Sequence, residues 1–328
     1  MPGVRRGAAA LGGDCFTVRV RTRLSALAVA LAAVLATTAC GSAATHDNAP
    51  LPPPRLLPAS RTSHVVVIVM ENKEASEVLG SDRAPYLTKL AKRNAAPRKF
   101  FAIRHPSLPN YLALIGGSTF GVTDDCTDCN VKGSSLADQL EQRGYSWKAY
   151  MQGMPRDCYR GAESGSYAKK HDPFMYFDRI RKDPRRCHRV VRYRRLRDDL
   201  RAGRLPDFAW ISPDLCHDTH DCSIKTGDGF LASLVPALLR ELGPHGFLFV
   251  TYDEGESDAG CCGYAHGGRI ATVIAGPDVR PGVRGPGVYS HYSTLRTIED
   301  AFGLPHLGKA ARASSLAPLF KQAPSVAP

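Results

Sequence analysis

Long apolar runs are missing from this sequence. The stretch Leu24–Ala36 is 13 residues, against about 20 for a membrane-spanning helix, which excludes a multipass membrane protein. Internal repeats are not seen. Hydrophobic residues at 43% and charged residues at 23% are ordinary globular values, excluding a disordered polymer, a collagen-like repeat and a coiled coil. Acidic residues are in deficit, 31 Asp+Glu against 43 Lys+Arg, for a net charge of +12. No nucleic-acid-binding motif accompanies that excess, so no nucleic-acid partner is expected.

The short apolar run has its own meaning. Arg19, Arg21 and Arg23 precede it and Thr37-Thr38-Ala39-Cys40 follows: a positive start, an apolar stretch and small residues at a cleavage site make a secretory signal over residues 1–40. Two processing routes stay open, a lipobox at Cys40 or ordinary cleavage after Ser42-Ala43-Ala44. Either predicts an exported chain, secreted or lipid-anchored in the cell envelope. Beyond Cys40 lie Cys126, Cys129, Cys158, Cys187, Cys216, Cys222, Cys261 and Cys262, an even set that reads as disulfides in an exported protein. No second CxxC accompanies Cys126-x-x-Cys129, so a structural disulfide is expected there rather than zinc. Adjacent Cys261 and Cys262 are expected to bond to different partners.

Residues 41–62 are rich in Pro, Ala and Ser and read as a linker; 63–320 fit one large domain, and 321–328 a loose tail. Segment 179–204 carries twelve Lys/Arg and three Asp. It reads either as a solvated helical face over Arg192–Arg204 or as a surface for anionic lipid or a phosphorylated substrate. Continuous apolar runs at Val65–Met70, Phe208–Ile211, Phe247–Tyr252 and Ile270–Ala275 predict buried strands. Helical patterns fall at Pro85–Asn94, Leu108–Ile115, Ser135–Arg143, Gly229–Leu242 and Thr294–Phe302. The alternation predicts an α/β fold, a mostly parallel central sheet with helices on both faces. Chemistry in such sheets gathers past the carboxyl ends of the strands.

Those ends carry unusual residues. Glu71-Asn72 follows the first run, Asp214 through Asp218 the second, and Asp253-Glu254 the third. Carboxylates brought together repel unless a cation neutralises them, so Glu71, Asn72, Asp253 and Glu254 are the candidate metal ligands. Their oxygen donors suit a single Mg²⁺, Ca²⁺ or Mn²⁺ better than zinc. In His105-Pro106-Ser107-Leu108-Pro109-Asn110, Pro109 suits a helix's first turn, leaving Ser107 at the entrance. A helix N-terminus suits a phosphate or an alkoxide, though serine there also serves as a simple cap.

His64 through Asn72 resembles the opening strand and Glu-Asn pair of a bacterial phosphoesterase family that includes phospholipases C and acid phosphatases. The segments His105–Leu114, Pro213–Cys222, Thr251–Gly255, His266–Arg269 and His291–Asp300 look like further motifs of it, in order. The chain looks most like the smaller secreted acid phosphatases of the phosphatidylinositol-3-phosphatase type. The resemblance implies an alkaline-phosphatase-like fold. It also implies a metal-dependent phosphomonoesterase with Ser107 as nucleophile and a phosphoserine intermediate. His217 or His220 is the expected general acid, with His105, His266 and Asn110 binding substrate. A protonated histidine implies an acidic optimum. The two-zinc members of that superfamily carry more Asp/His ligands, a departure that points to one metal. A phospholipase C-type diesterase is the first alternative and a non-enzymatic cell-surface binding protein the second; the compact length leans toward monoesters, and a monomer is expected.

Overall fold

The computed structural model describes residues 62–326. The signal, Cys40 and nearly all of the expected linker lie outside the described residues. Within them, no helix is long and apolar enough to cross a membrane.

The Val-Val-Val-Ile-Val-Met run forms strand β1, Val65–Met70, with all six residues buried. Stiff β-branched side chains suit a pleated, doubly covered strand. The other strands of its sheet are β2 (Trp147–Met151), β3 (Val190–Arg192), β4 (Phe208–Ser212), β5 (Phe247–Tyr252) and β6 (Thr272–Ala275). They lie in the order β3-β2-β4-β1-β5-β6. All neighbours are parallel except β5 and β6. The mostly parallel α/β sheet expected from the patterning is therefore present, with both faces of β1 covered.

Two strands escaped the pattern. β2 interrupts its apolar positions with Lys148, whose Nζ is neutralised by Asp199 at 2.6 Å. β3 lies within the arginine-rich segment, so the helical face expected from Arg192 is shorter and runs only over Arg194–Arg201.

The principal helices are α1 (Pro85–Arg93), α2 (Ser107–Gly116), α3 (Leu136–Gln142), α4 (Arg194–Arg201), α5 (Ile224–Glu241) and α6 (His291–Ala301). α2 packs on α6 and α1 on α5. Gly227 lets α5 approach the loop after β4: a Cβ there would meet Thr219 Cγ2 at 2.3 Å.

Two further expectations are corrected. Cys261 bonds to Cys262 rather than to separate partners, because Cys126–Cys129, Cys158–Cys187 and Cys216–Cys222 already pair the other six. Cys262 takes a left-handed φ of 63° in that turn. Nor is the C-terminal segment loose as far as it is described: Val326 is buried and its N–H donates to Ala301 O at 2.9 Å.

Candidate active site

The sheet's register assembles the site. Met70 of β1 pairs with Tyr252 of β5, so Glu71 and Asp253 leave adjacent strands side by side, and Asp253 N–H donates to Met70 O at 2.8 Å. On the other side of β1, the loop after β4 returns so that Asp218 O accepts Glu71 N–H at 2.8 Å. Asn72 turns the chain with φ 53°, a left-handed conformation that asparagine tolerates better than most residues.

Helix α2 begins at the nucleophile candidate. Ser107 Oγ, buried, donates to Glu71 Oε2 at 3.1 Å and reaches Glu254 Oε1 at 3.5 Å. Asp125 Oδ1 accepts the next peptide's N–H, Leu108, at 2.9 Å, and its Oδ2 takes Lys170 Nζ at 3.0 Å. Lys170 Nζ is also 3.3 Å from His220 Nε2.

Two residues outside the expected ligand set complete the acidic cluster. His171 lies between two carboxylates, Nε2 3.3 Å from Glu71 Oε2 and Nδ1 3.2 Å from Asp218 Oδ2. One ligand atom from each of Glu71, His171 and Asp218 falls within 4.8 Å of the others. Tyr111 of α2 donates its hydroxyl to Glu71 Oε1 and stacks on the His171 ring. The Asn72 amide abuts both strand-end acids. Turned nitrogen-inward it donates to Asp253 Oδ1 at 3.2 Å and Glu71 Oε2 at 3.1 Å; turned oxygen-inward it offers a neutral ligand at the same place.

Electrostatics fit this cluster to a cation. Burial, then Asp253 and Asp218, holds Glu71 well above the usual carboxylate range. Burial likewise holds Asp218 well above it and pushes Asp253 up to about 6. Glu254 is pushed up to about 9 by burial and by Asp253, and burial, with Lys170, holds His171 well below its ordinary value. His171 Nε2, Asp218 Oδ2 and Asp253 Oδ2 lack a hydrogen-bond partner among the described residues. Orphaned buried acceptors beside like charges are costly, and Glu71, His171 and Asp218 have ligand atoms close enough to share a divalent ion.

The remaining expected site residues separate. His105 Nδ1 meets Glu254 Oε2 at 2.7 Å and its Nε2 meets Ser257 O at 3.1 Å. His217 pairs with Asp214 at 2.9 Å and packs on Phe230, whereas His220 joins the Lys170 and His171 rim. Asn110 is fully engaged with its own loop: Oδ1 accepts Ile103 N–H and Arg104 N–H, and Nδ2 donates to Arg104 O and Pro106 O. It shapes the turn into α2. His266 shares a cleft with His105.

Asp218 stands between the two histidines singled out in its loop, and only the sheet order shows that it reaches Glu71. His171 comes from a segment with no strand or helix signature, a 3₁₀ turn at Lys169–His171.

This architecture is similar to that of a solved member of the alkaline phosphatase superfamily. A crystal structure of a protein of that superfamily from Vibrio parahaemolyticus superposes with a TM-score of 0.53 at 12% identity, covering 80% of this chain and 72% of that one. The phosphoesterase family model matches residues 79–305, and the chain belongs to the phosphoesterase family, hydrolases of phosphate esters. A phosphatidylinositol-3-phosphatase of Mycobacterium tuberculosis (strain ATCC 25618 / H37Rv) is 31% identical over 262 residues, 79% of this chain and 83% of the relative. A phosphate-repressible acid phosphatase of Penicillium chrysogenum is 31% identical over 234 residues, 68% of this chain and 55% of the relative. The chain thus spans about half the length of that fungal relative.

Proposed function

We propose that the chain is an exported, metal-dependent phosphomonoesterase acting through a phosphoserine on Ser107. The observation that carries this reading is the Ser107 hydroxyl, 3.1 Å from Glu71 Oε2 inside the carboxylate cluster and at the head of α2. Glu71, Asp218, His171, Asp253 and Asn72 would hold the ion, which supplies charge neutralisation and a lowered pKa for a nearby hydroxyl. With a histidine nitrogen in the donor set, zinc is no longer disfavoured on ligand grounds.

The chain's own groups do the rest. Ser107 gives its proton to a contacting carboxylate, Glu71 or Glu254, as its oxygen bonds to phosphorus and the ester oxygen departs. His220 protonates the leaving alcohol, a contribution worth roughly 10²- to 10⁴-fold; its place on the Lys170 and His171 rim supports it over His217. Water then cleaves the phosphoserine and releases phosphate. The relatives' names support acid phosphatase activity, with a phosphoinositide 3-phosphate as a candidate substrate. Export is supported by the disulfides, which persist in oxidising compartments.

Ser107→Ala should abolish p-nitrophenyl phosphate hydrolysis and the labelled phosphoenzyme trapped at low pH, while metal binding measured by calorimetry persists. Chelation should silence the wild type, and add-back of Mg²⁺, Ca²⁺, Mn²⁺ and Zn²⁺ identifies the ion. Turnover by Ser107→Ala would overturn the nucleophile, and full activity after chelation would overturn the metal.

A further inference from the structure

We propose that a basic cleft beside the nucleophile reads a second anionic group on the substrate's leaving alcohol; this rests on the phosphomonoesterase reading. The cleft holds about 400 Å³ and is lined by Arg104, His105, His266, Lys309, Tyr264 and Asp258, among others. Its inner wall is His105, whose Nδ1 bonds the same Glu254 that reaches Ser107 Oγ at 3.5 Å. His105 thus links the cleft to the reacting hydroxyl through a single shared carboxylate, which puts the cleft within reach of a group carried on the substrate.

Its two cations, Arg104 and Lys309, are not neutralised within the cleft. Arg104's guanidinium donates through Nε to His105 O at 3.3 Å, and its outer nitrogens have no partner among the described residues. Lys309 Nζ lies over the Tyr264 and Tyr292 rings at 5.6 and 5.7 Å. Among the described residues neither cation has an ion-pair partner, and the one acid of the lining, Asp258, is 97% exposed. The arginine-rich segment 179–204 contrasts with this. Arg186 lies between Asp138 and Glu141, Arg192 and Arg195 share Asp157, and Arg181 and Lys182 share Asp178. Seven of that segment's twelve basic side chains, Arg179 and Arg189 among them, pair with acids, whereas Arg104 and Lys309 in the cleft do not among the described residues.

A neutral alcohol gains nothing from a guanidinium and an ammonium set against its outer end. A phosphate or phosphodiester does, through charge-assisted hydrogen bonds that are about twice as strong as neutral ones. The preferred substrates are thus monoesters whose alcohol carries a further phosphate, whether free or as part of a lipid headgroup.

The test compares kcat/KM for inositol 1,3-bisphosphate and for short-chain phosphatidylinositol 3-phosphate, each divided by kcat/KM for p-nitrophenyl phosphate. In the Arg104→Gln/Lys309→Gln protein both ratios should fall by about tenfold or more, the loss expected when charge-assisted contacts are removed. Arg104→Lys should retain more of the preference than Arg104→Gln, and Lys89→Gln, the same charge change on an exposed helix face, should leave both ratios as they are. Equal headgroup and lipid losses assign the anion to the headgroup phosphate. Ratios that fall by less, or a loss confined to the lipid, overturn the proposal. Continued hydrolysis of p-nitrophenyl phosphate in those cases shows that the phosphomonoesterase reading itself has not failed.

Discussion

Tyr111 shows how single side chains tune this centre. Its hydroxyl donates to Glu71 Oε1 and its ring lies flat against His171, 9° from parallel, so one residue orients two of the candidate ligands. Groups in this supporting position typically change metal affinity or activity 10- to 100-fold when altered. Tyr111→Phe keeps the stacked ring and removes only the donor. Its activity-versus-metal titration should shift to higher metal by about that factor, and an unmoved midpoint would remove Glu71 from the ligand set. Glu71 and Asp253 were legible as candidate ligands because nothing in core packing calls for acids directly after fully buried strands. His171 was not, since the Lys169–Asp172 segment has no periodicity and its role depends entirely on what it meets.

Among the elements, α1 depends on its neighbour. Its N-cap position is Ala84, which offers no side-chain acceptor. Asp228 of α5 takes that part, Oδ2 accepting Tyr86 N–H at 2.9 Å and Oδ1 accepting Leu87 N–H at 2.8 Å. Asp228→Ala leaves those two N–H groups unpaired, and loss of a cap costs about 1–2 kcal/mol. A thermal melt should register this as a drop of about 2–4 °C per kcal/mol; an unchanged melt would show that α1 finds another acceptor. Pro85 and the apolar spacing made α1 readable, but a cap borrowed 142 residues away leaves no local signal. β2 was missed for a related reason: Lys148 reads as a break until Asp199 is seen to neutralise it.

At the scale of the whole molecule, one buried acid makes stability depend on pH. Glu299 in α6 accepts Leu307 N–H through Oε1 at 2.8 Å, while Oε2 has no partner among the described residues. Burial pushes its pKa up to about 8 from 4.5. Between those values the folded chain holds a proton that the unfolded chain has released, so this group's contribution to stability declines as pH rises through that window. Glu299→Gln keeps an acceptor for Leu307 and removes the charge. The melting temperature should therefore gain more at pH 8 than at pH 5; equal gains would show that Glu299 is already ionised in the native state.

The sequence by itself determined the parallel α/β character, the Glu-Asn and Asp-Glu strand ends, the serine at a helix entrance and the phosphoesterase kinship. These reside in local composition: buried strands demand β-branched runs, and a helix start accepts Pro and Ser. Tertiary structure alone decided that Asp218 and His171 join Glu71, that Asn110 belongs to a turn, that Cys261 bonds Cys262 and that Arg104 and Lys309 share a cleft with His105. Each of those outcomes depends on which strands become neighbours and how close the loops then come. Hydrophobic periodicity carries no information about that proximity.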